Sequence, residues 1–186
     1  MQFIQKEFSS TIEAKKSKFI AHLCPYDEFD AMMERLKNEH PKARHYVYAY
    51  RYLNVWEQIV ENSSDDGEPK GTSGRPCLKV LSGGEIINSA VVVVRYFGGT
   101  MLGTGGLVKA YSDAVNAVIE ISEFTLYEKL EEKVITISYT DLAKVEHTLK
   151  ALKIDIKTKE FGNDVVLTLQ ATKEKFGTAN LFGADK

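Results

Sequence analysis

Residues 65–111 read DDGEPKGTSGRPCLKVLSGGEIINSAVVVVRYFGGTMLGTGGLVKAY, and ten of the chain's 13 glycines fall inside them. Gly serves where φ turns positive or where backbone must approach another group closely, so unusual backbone geometry is concentrated here. At the centre, residues 90–94 form an apolar, β-branched run without alternation, the pattern of a strand covered on both faces. Arg95, Tyr96 and Phe97 follow, and then Gly98, Gly99, Gly103, Gly105 and Gly106. From there Leu107, Ala110, Ala114, Val118 and Ile121 recur at helical spacing. The order is buried strand, Gly-rich loop, helix start. Such an order brings unpaired N–H groups and the positive end of a helix dipole to one point.

Two phosphate-binding motifs fail here. Gly98 and Gly103 have P-loop spacing, but Thr104 and Gly105 stand where Lys and Ser/Thr belong. A dinucleotide fingerprint beginning at Gly103 and Gly105 meets Val108 in place of its third Gly. Neither a Walker-type NTPase nor a Rossmann enzyme is supported. Two uses of the loop stay open: accepting an anion, with Arg95 and Lys109 near it, or allowing a tight turn under close packing.

The chain has 186 residues, 44% hydrophobic and 27% charged, with a net charge of −2. This is globular composition, large enough for one large or two small domains. Near-neutral charge argues against a general polyanion binder, though not against a local basic patch. There is no apolar run of roughly 18 residues and no signal-peptide pattern, so the reading is a soluble cytoplasmic protein with no membrane partner. Cys24 and Cys77 form neither a metal motif nor a disulfide framework and read as reduced thiols. No metal or cofactor is expected.

Residues 3–25 read as two strands, with Ile4, Lys6 and Phe8 on one face of the first and Phe19, Ala21 and Leu23 on one face of the second. Asp27 suits an N-cap for a helix through His40, closed by Pro41. Residues 44–52 alternate as a strand, with Tyr46, Tyr48, Tyr50 and Tyr52 on one side. That row suits either base stacking or packing on a helix. Residues 56–61 read as a further short strand, and Pro76 suits the first turn of a helix stopped by Gly83 and Gly84. Asp65, Asp66 and Glu68 gather three carboxylates in a loop. They suit a hard cation or, preferred, turn and cap chemistry. His45 alternates beside Arg51 on its strand and reads as a structural histidine or a base.

Residues 127–133, YEKLEEK, look like a junction. Beyond it the pattern is strand, helix, two strands around Gly162-Asn163, and a helix from Lys173. This β-α-β-β-α order begins a ferredoxin-like fold without its last strand.

The blocks Asp65-Asp66-Gly67-Glu68-Pro69, Gly71-Thr72-Ser73-Gly74, Arg95-Tyr96-Phe97-Gly98-Gly99-Thr100, Leu102-Gly103 and Gly105-Gly106-Leu107 resemble the signature of the IMPACT/YigZ family. Lys16-Ser17-Lys18-Phe19-Ile20-Ala21, Ala43-Arg44-His45 and Ala49-Tyr50-Arg51 are similar to its upstream blocks. One departure is Lys109, where the family commonly has Arg; the charge stays and the bidentate fork is lost. Periodicity alone gives α+β. The resemblance implies an N-terminal domain, residues 1–130, folded like the second domain of small-subunit ribosomal protein S-five, with a left-handed βαβ crossover. It implies a C-terminal ferredoxin-like domain, residues 131–186, here curtailed.

The resemblance also implies work near translation. Eukaryotic relatives regulate translation through a stress-responsive kinase, and bacterial relatives resemble ribosome- or nucleic-acid-associated proteins. The expected function is therefore non-catalytic binding of nucleic acid or of a ribosomal or translation-factor partner, through the Gly-loop cleft. The expected binding set is His45, Asp65, Asp66, Glu68, Arg95, Gly98, Gly99, Gly103, Gly105, Gly106 and Lys109. The alternative is a phosphate-ester or peptide hydrolase using Asp65, Asp66, Glu68 and His45. No complete catalytic constellation stands in the sequence, which ranks binding first.

Overall fold

In a computed structural model, which describes residues 1–178, the unalternating valine run is the central strand of a five-stranded antiparallel sheet. The first unit, Met1–Tyr127, runs β1 (Gln2–Phe3), β2 (Phe8–Ala14), β3 (Ser17–Pro25), a 3-10 turn (Tyr26–Glu28), α1 (Phe29–Glu39), β4 (His45–Leu53), β5 (Ile59–Ser64), α2 (Gly74–Gly83), β6 (Ser89–Tyr96), α3 (Gly103–Glu120) and β7 (Thr125–Leu126). The sheet order is β2-β3-β6-β4-β5, and β1 pairs with β7 separately. Every β6 residue from Ser89 to Arg95 is buried, because helices cover both faces. Phe19, Ala21, Leu23, Val47, Ala49, Val91 and Val93 pack under α2 and α3. Cys24, Ala90, Val92 and Val94 pack under α1 with Met32 and Leu36.

Tyr46, Tyr48 and Tyr50 of β4 pack in the cluster under α1, and Tyr52 alternates onto the same face. Tyr48 and Tyr50 meet Phe29 at 5.2 and 5.5 Å between ring centroids, and Tyr52 stacks on Tyr26 at 4.0 Å. The row packs on α1 and the 3-10 turn before it.

The topology requires one left-handed crossover. β3 and β4 are parallel, each antiparallel to β6 between them, and α1 joins them over one face. β5 and β6 are likewise parallel, with β4 between, and α2 joins them over the opposite face. Turning one unit by half a turn about the sheet normal matches its strand direction and its sideways step to the other. The helices remain on opposite faces, so the two crossovers have opposite hands. One of them therefore departs from the right-handed rule.

The second unit, Glu128–Lys186, runs β8 (Leu130–Ile137), α4 (Leu142–Ala151), β9 (Asp155–Phe161), β10 (Val165–Thr172) and α5 (Lys173–Thr178), with sheet order β8-β10-β9. Order and connectivity are those of a ferredoxin-like fold, with three strands among the described residues. The expectation of a missing last strand falls on residues 179–186, outside the described residues. Ile137, Val145, Leu149, Val165, Leu167 and Leu169 form this unit's own core.

Several boundaries differ from expectation. Residues 4–7 are outside any strand, and β5 lies three residues later than the run 56–61. Asp27 sits in the 3-10 turn, and Glu28 precedes α1 without a side-chain cap bond. The last four residues of the charged segment 127–133 belong to β8, paired with β10. α3 begins at Gly103, not Leu107. Its first turn is solvent-facing, so it left no apolar signal.

Candidate functional site

At the end of the sheet where β6 leaves for α3, three elements converge on Glu68. The carboxylate is buried, and its Oε1 accepts hydrogen bonds from Arg95 Nη1 at 2.5 Å and from the Tyr111 hydroxyl at 2.8 Å. His45 Nε2 lies 4.0 Å away. Arg95 and His45 are register partners on β6 and β4, Tyr111 comes down from α3, and Glu68 arrives from the loop after β5. The pair is desolvated, so each charge depends on the other. Burial, and then the Glu68 charge, push the Tyr111 phenol well above its ordinary range.

The rest of the acidic loop is braced inward. Asp65 Oδ1 accepts from Ser73 N at 3.1 Å, Ser73 Oγ at 2.7 Å and Gly74 N at 2.9 Å, and Oδ2 accepts from Gly71 N at 2.7 Å. It thus caps the start of α2 from a distance in sequence. Burial alone would raise its carboxyl; these four bonds hold it below the usual range. Asp66 Oδ2 accepts from Tyr46 N at 2.6 Å, and Asp66 O accepts from His45 Nδ1–H at 2.8 Å. A carbonyl only accepts, so Nδ1 carries the hydrogen and Nε2 faces Glu68. Among the described residues, no three His, Cys, Asp or Glu side chains group as metal ligands.

The glycines divide by environment. A Cβ on Gly98 would stand 2.0 Å from the carbonyl carbon and oxygen of Lys16, in the turn between β2 and β3, so close backbone packing requires Gly there. Gly99 and Gly103 have φ of +85° and +74° with open space around them. Gly105 is exposed in the first turn of α3, and Gly106 lies against Leu102. Lys109 is exposed and pairs with Asp113 at 2.7 Å, one turn along α3. The structure thus joins His45, Glu68 and Arg95, ties Asp65 and Asp66 into the loop, and leaves Gly99, Gly103, Gly105 and Lys109 toward solvent. Sequence reasoning missed Tyr111 and Ser17. Tyr111 falls on the apolar stripe of α3, and a hydroxyl there needs a partner. Ser17 is fully buried and accepts from Gly98 N at 3.1 Å.

Charge is polarised along the sheet. Lys15, Lys16, Lys18, Lys42 and Arg44 are exposed around the Gly-loop end, and none is held in an ion pair among the described residues. Exposed carboxylates at that end include Glu13, opposite Lys18, Asp66, already bonded, and Glu39, paired with Arg35. The other end carries exposed Asp27 and Glu28, beside a cleft of about 470 Å³ lined by Tyr26 and Tyr52.

With this geometry the sequence matches known models. Residues 15–119 match the Impact N-terminal domain, and residues 135–179 match a domain of unknown function, DUF1949. The chain belongs to the IMPACT family. An IMPACT family member of Haemophilus influenzae is 35% identical over 162 residues, covering 84% of this chain and 78% of the relative. The IMPACT family member YigZ of Escherichia coli is 39% identical over 140 residues, covering 74% and 69%. A crystal structure of a hypothetical protein aligns over 95% of this chain and 87% of its own, with a TM-score of 0.64 and 32% identity.

Proposed function

We propose that this IMPACT family protein is a non-catalytic binding protein acting near translation, a regulator that engages nucleic acid or a ribosomal partner at the Gly-loop end of its first unit. One observation carries the reading. The groups able to do hydrolytic chemistry there are occupied by the fold itself, while the exposed cations around them form no ion pair among the described residues. Asp65 spends its oxygens on four donors, Glu68 neutralises Arg95, and His45 is held between Asp66 and Glu68. Lys15, Lys16, Lys18, Lys42 and Arg44 surround them facing water. Unpaired surface cations steer and hold polyanions, and ribosomal RNA presents a dense array of phosphates.

Purified ribosomes sedimented with the full chain at two salt concentrations test the reading. Co-sedimentation that weakens with salt supports it. Absence of co-sedimentation, together with turnover of a phosphate ester or a peptide that is lost in a Glu68→Gln variant still showing cooperative unfolding, would replace it with the hydrolase reading.

A further inference from the structure

We infer that the basic end of the first unit's sheet is a surface for single-stranded nucleic acid, with Phe97 as stacking platform and Lys15 and Lys16 holding the phosphate backbone. The inference rests on the binding reading proposed for this end and names its ligand class and its surface. Phe97 is 52% exposed, although it directly follows a buried strand. The Arg95 guanidinium carbon lies 5.7 Å from its ring centroid and 5.5 Å from that of Phe19 on the core side. Arg95 is itself pinned by Glu68 at 2.5 Å. One face of Phe97 is thus backed by an immobile cation while the ring remains open to water. A base stacking on a ring already held in place loses little further side-chain freedom.

The lysines are fixed relative to that ring. Gly98, next to Phe97, donates its N–H to Ser17 Oγ at 3.1 Å, and its backbone touches Lys16 too closely for any Cβ. The turn bearing Lys15 and Lys16 is therefore rooted against the loop bearing Phe97. Lys18 is the register partner of Tyr96, one residue before the ring. On the other side Arg44 precedes His45, the partner of Arg95. By strand alternation Lys18 shares the α1 face with Tyr96 while Phe97 shares the face of Arg95, so the turn lysines Lys15 and Lys16 are the cations whose backbone abuts the loop of the ring. Met101, four residues beyond Phe97 along the same loop, is 84% exposed. An exposed aromatic beside cations is how proteins hold unpaired strands, with phosphates on the charges and bases on the ring. A duplex buries its base faces and gives such a ring nothing to stack on.

The test is fluorescence anisotropy of the full chain with a labelled RNA 12-mer, a DNA 12-mer of the same sequence and an RNA duplex, at two salt concentrations. The variants are Phe97→Leu, Lys15→Gln/Lys16→Gln and, as a control on the outer face of α2, Lys79→Gln, each checked for unchanged thermal unfolding. The expected result is tighter binding of single strands than of duplex. Phe97→Leu should weaken it about fivefold or more, and the double lysine variant should reduce the salt slope by about 0.7 for each phosphate no longer neutralised. Lys79→Gln should bind as wild type. Equal binding of the RNA and DNA strands supports the surface while weighing against the translation reading, which ribosome sedimentation decides separately. Duplex bound as tightly as single strands, no binding at all, or Phe97→Leu and the lysine variant binding as wild type, would overturn the inference.

Discussion

Glu68 Oε1 and Arg95 Nη1 lie 2.5 Å apart, with both side chains more than nine-tenths buried. Twenty-seven residues separate them in sequence, and the pair holds the acidic loop against the central strand just before the Gly loop. The arginine that stands beside a candidate anion site is thereby neutralised from within. Its part at that end is to fix neighbouring groups.

Glu68→Gln should cost about 3–5 kcal/mol, because it leaves the Arg95 guanidinium buried without a counter-charge. Glu68→Gln/Arg95→Met should regain most of that loss, since neither partner is then left as a buried unpaired charge. Tyr111→Phe should cost about 1.5–3 kcal/mol, the scale of a hydrogen bond to a charged group. Urea denaturation of the three variants measures this. A Glu68→Gln loss below about 1 kcal/mol would mean that the pair behaves as a solvated one.

The glycines should separate by role. Gly98→Ala should destabilise by about 1–3 kcal/mol, the usual cost of overpacking, because its new methyl meets the Lys16 carbonyl. Gly105→Ala meets nothing and sits in a helix, so it should stabilise by about 0.5–1 kcal/mol. Thermal unfolding of both distinguishes packing from conformational freedom; a neutral Gly98→Ala would show that the β2–β3 turn yields.

Asp65 should make stability depend on acid. Its folded carboxyl titrates below that of an unfolded Asp, about 3.9. Its contribution is therefore fully present above that value and is lost as pH falls through the lower folded one. Asp65→Asn should cost about 1–3 kcal/mol at neutral pH through the lost cap bonds. The gap between wild type and variant should narrow below about pH 4. A gap that is constant from pH 7 to pH 2 would assign the loss to shape alone.

We propose that the first unit folds alone and that the joint lies just before β8. Lys133 is paired with Leu169 inside the sheet of the second unit, whereas Glu128 and Lys129 lie between β7 and β8, outside any strand. Limited trypsin digestion should cut after Lys129 before Lys133 and leave a cooperatively unfolding N-terminal fragment. A first cut elsewhere, or a fragment without a cooperative transition, would refute this.

The local patterns were legible because they depend on neighbours in the chain. The unalternating run at 90–94 announced a strand covered on both faces, since only such a strand can hide every side chain. The spacing from Leu107 onward announced α3, but its exposed first turn carried no apolar residue and so stayed hidden. The β-α-β-β-α order of the second unit followed in the same way from its periodicities. The family blocks, read as a resemblance, supplied the rest of the topology, and the opposite faces of α1 and α2 supply the reason that one crossover is left-handed.

What the sequence could not decide was the use of each polar group, because partners far apart in the chain are set by folding. Asp65, Asp66 and Glu68 read alike as a row of carboxylates. Tertiary structure gave Asp65 to the start of α2, Asp66 to the β4 backbone and Glu68 to Arg95. It also turned Gly98 toward Lys16 and Gly105 toward water, although both are glycines of one loop in the sequence. A charge's role depends on whether burial forces it to find a partner, and burial is a property of the assembled sheet and helices.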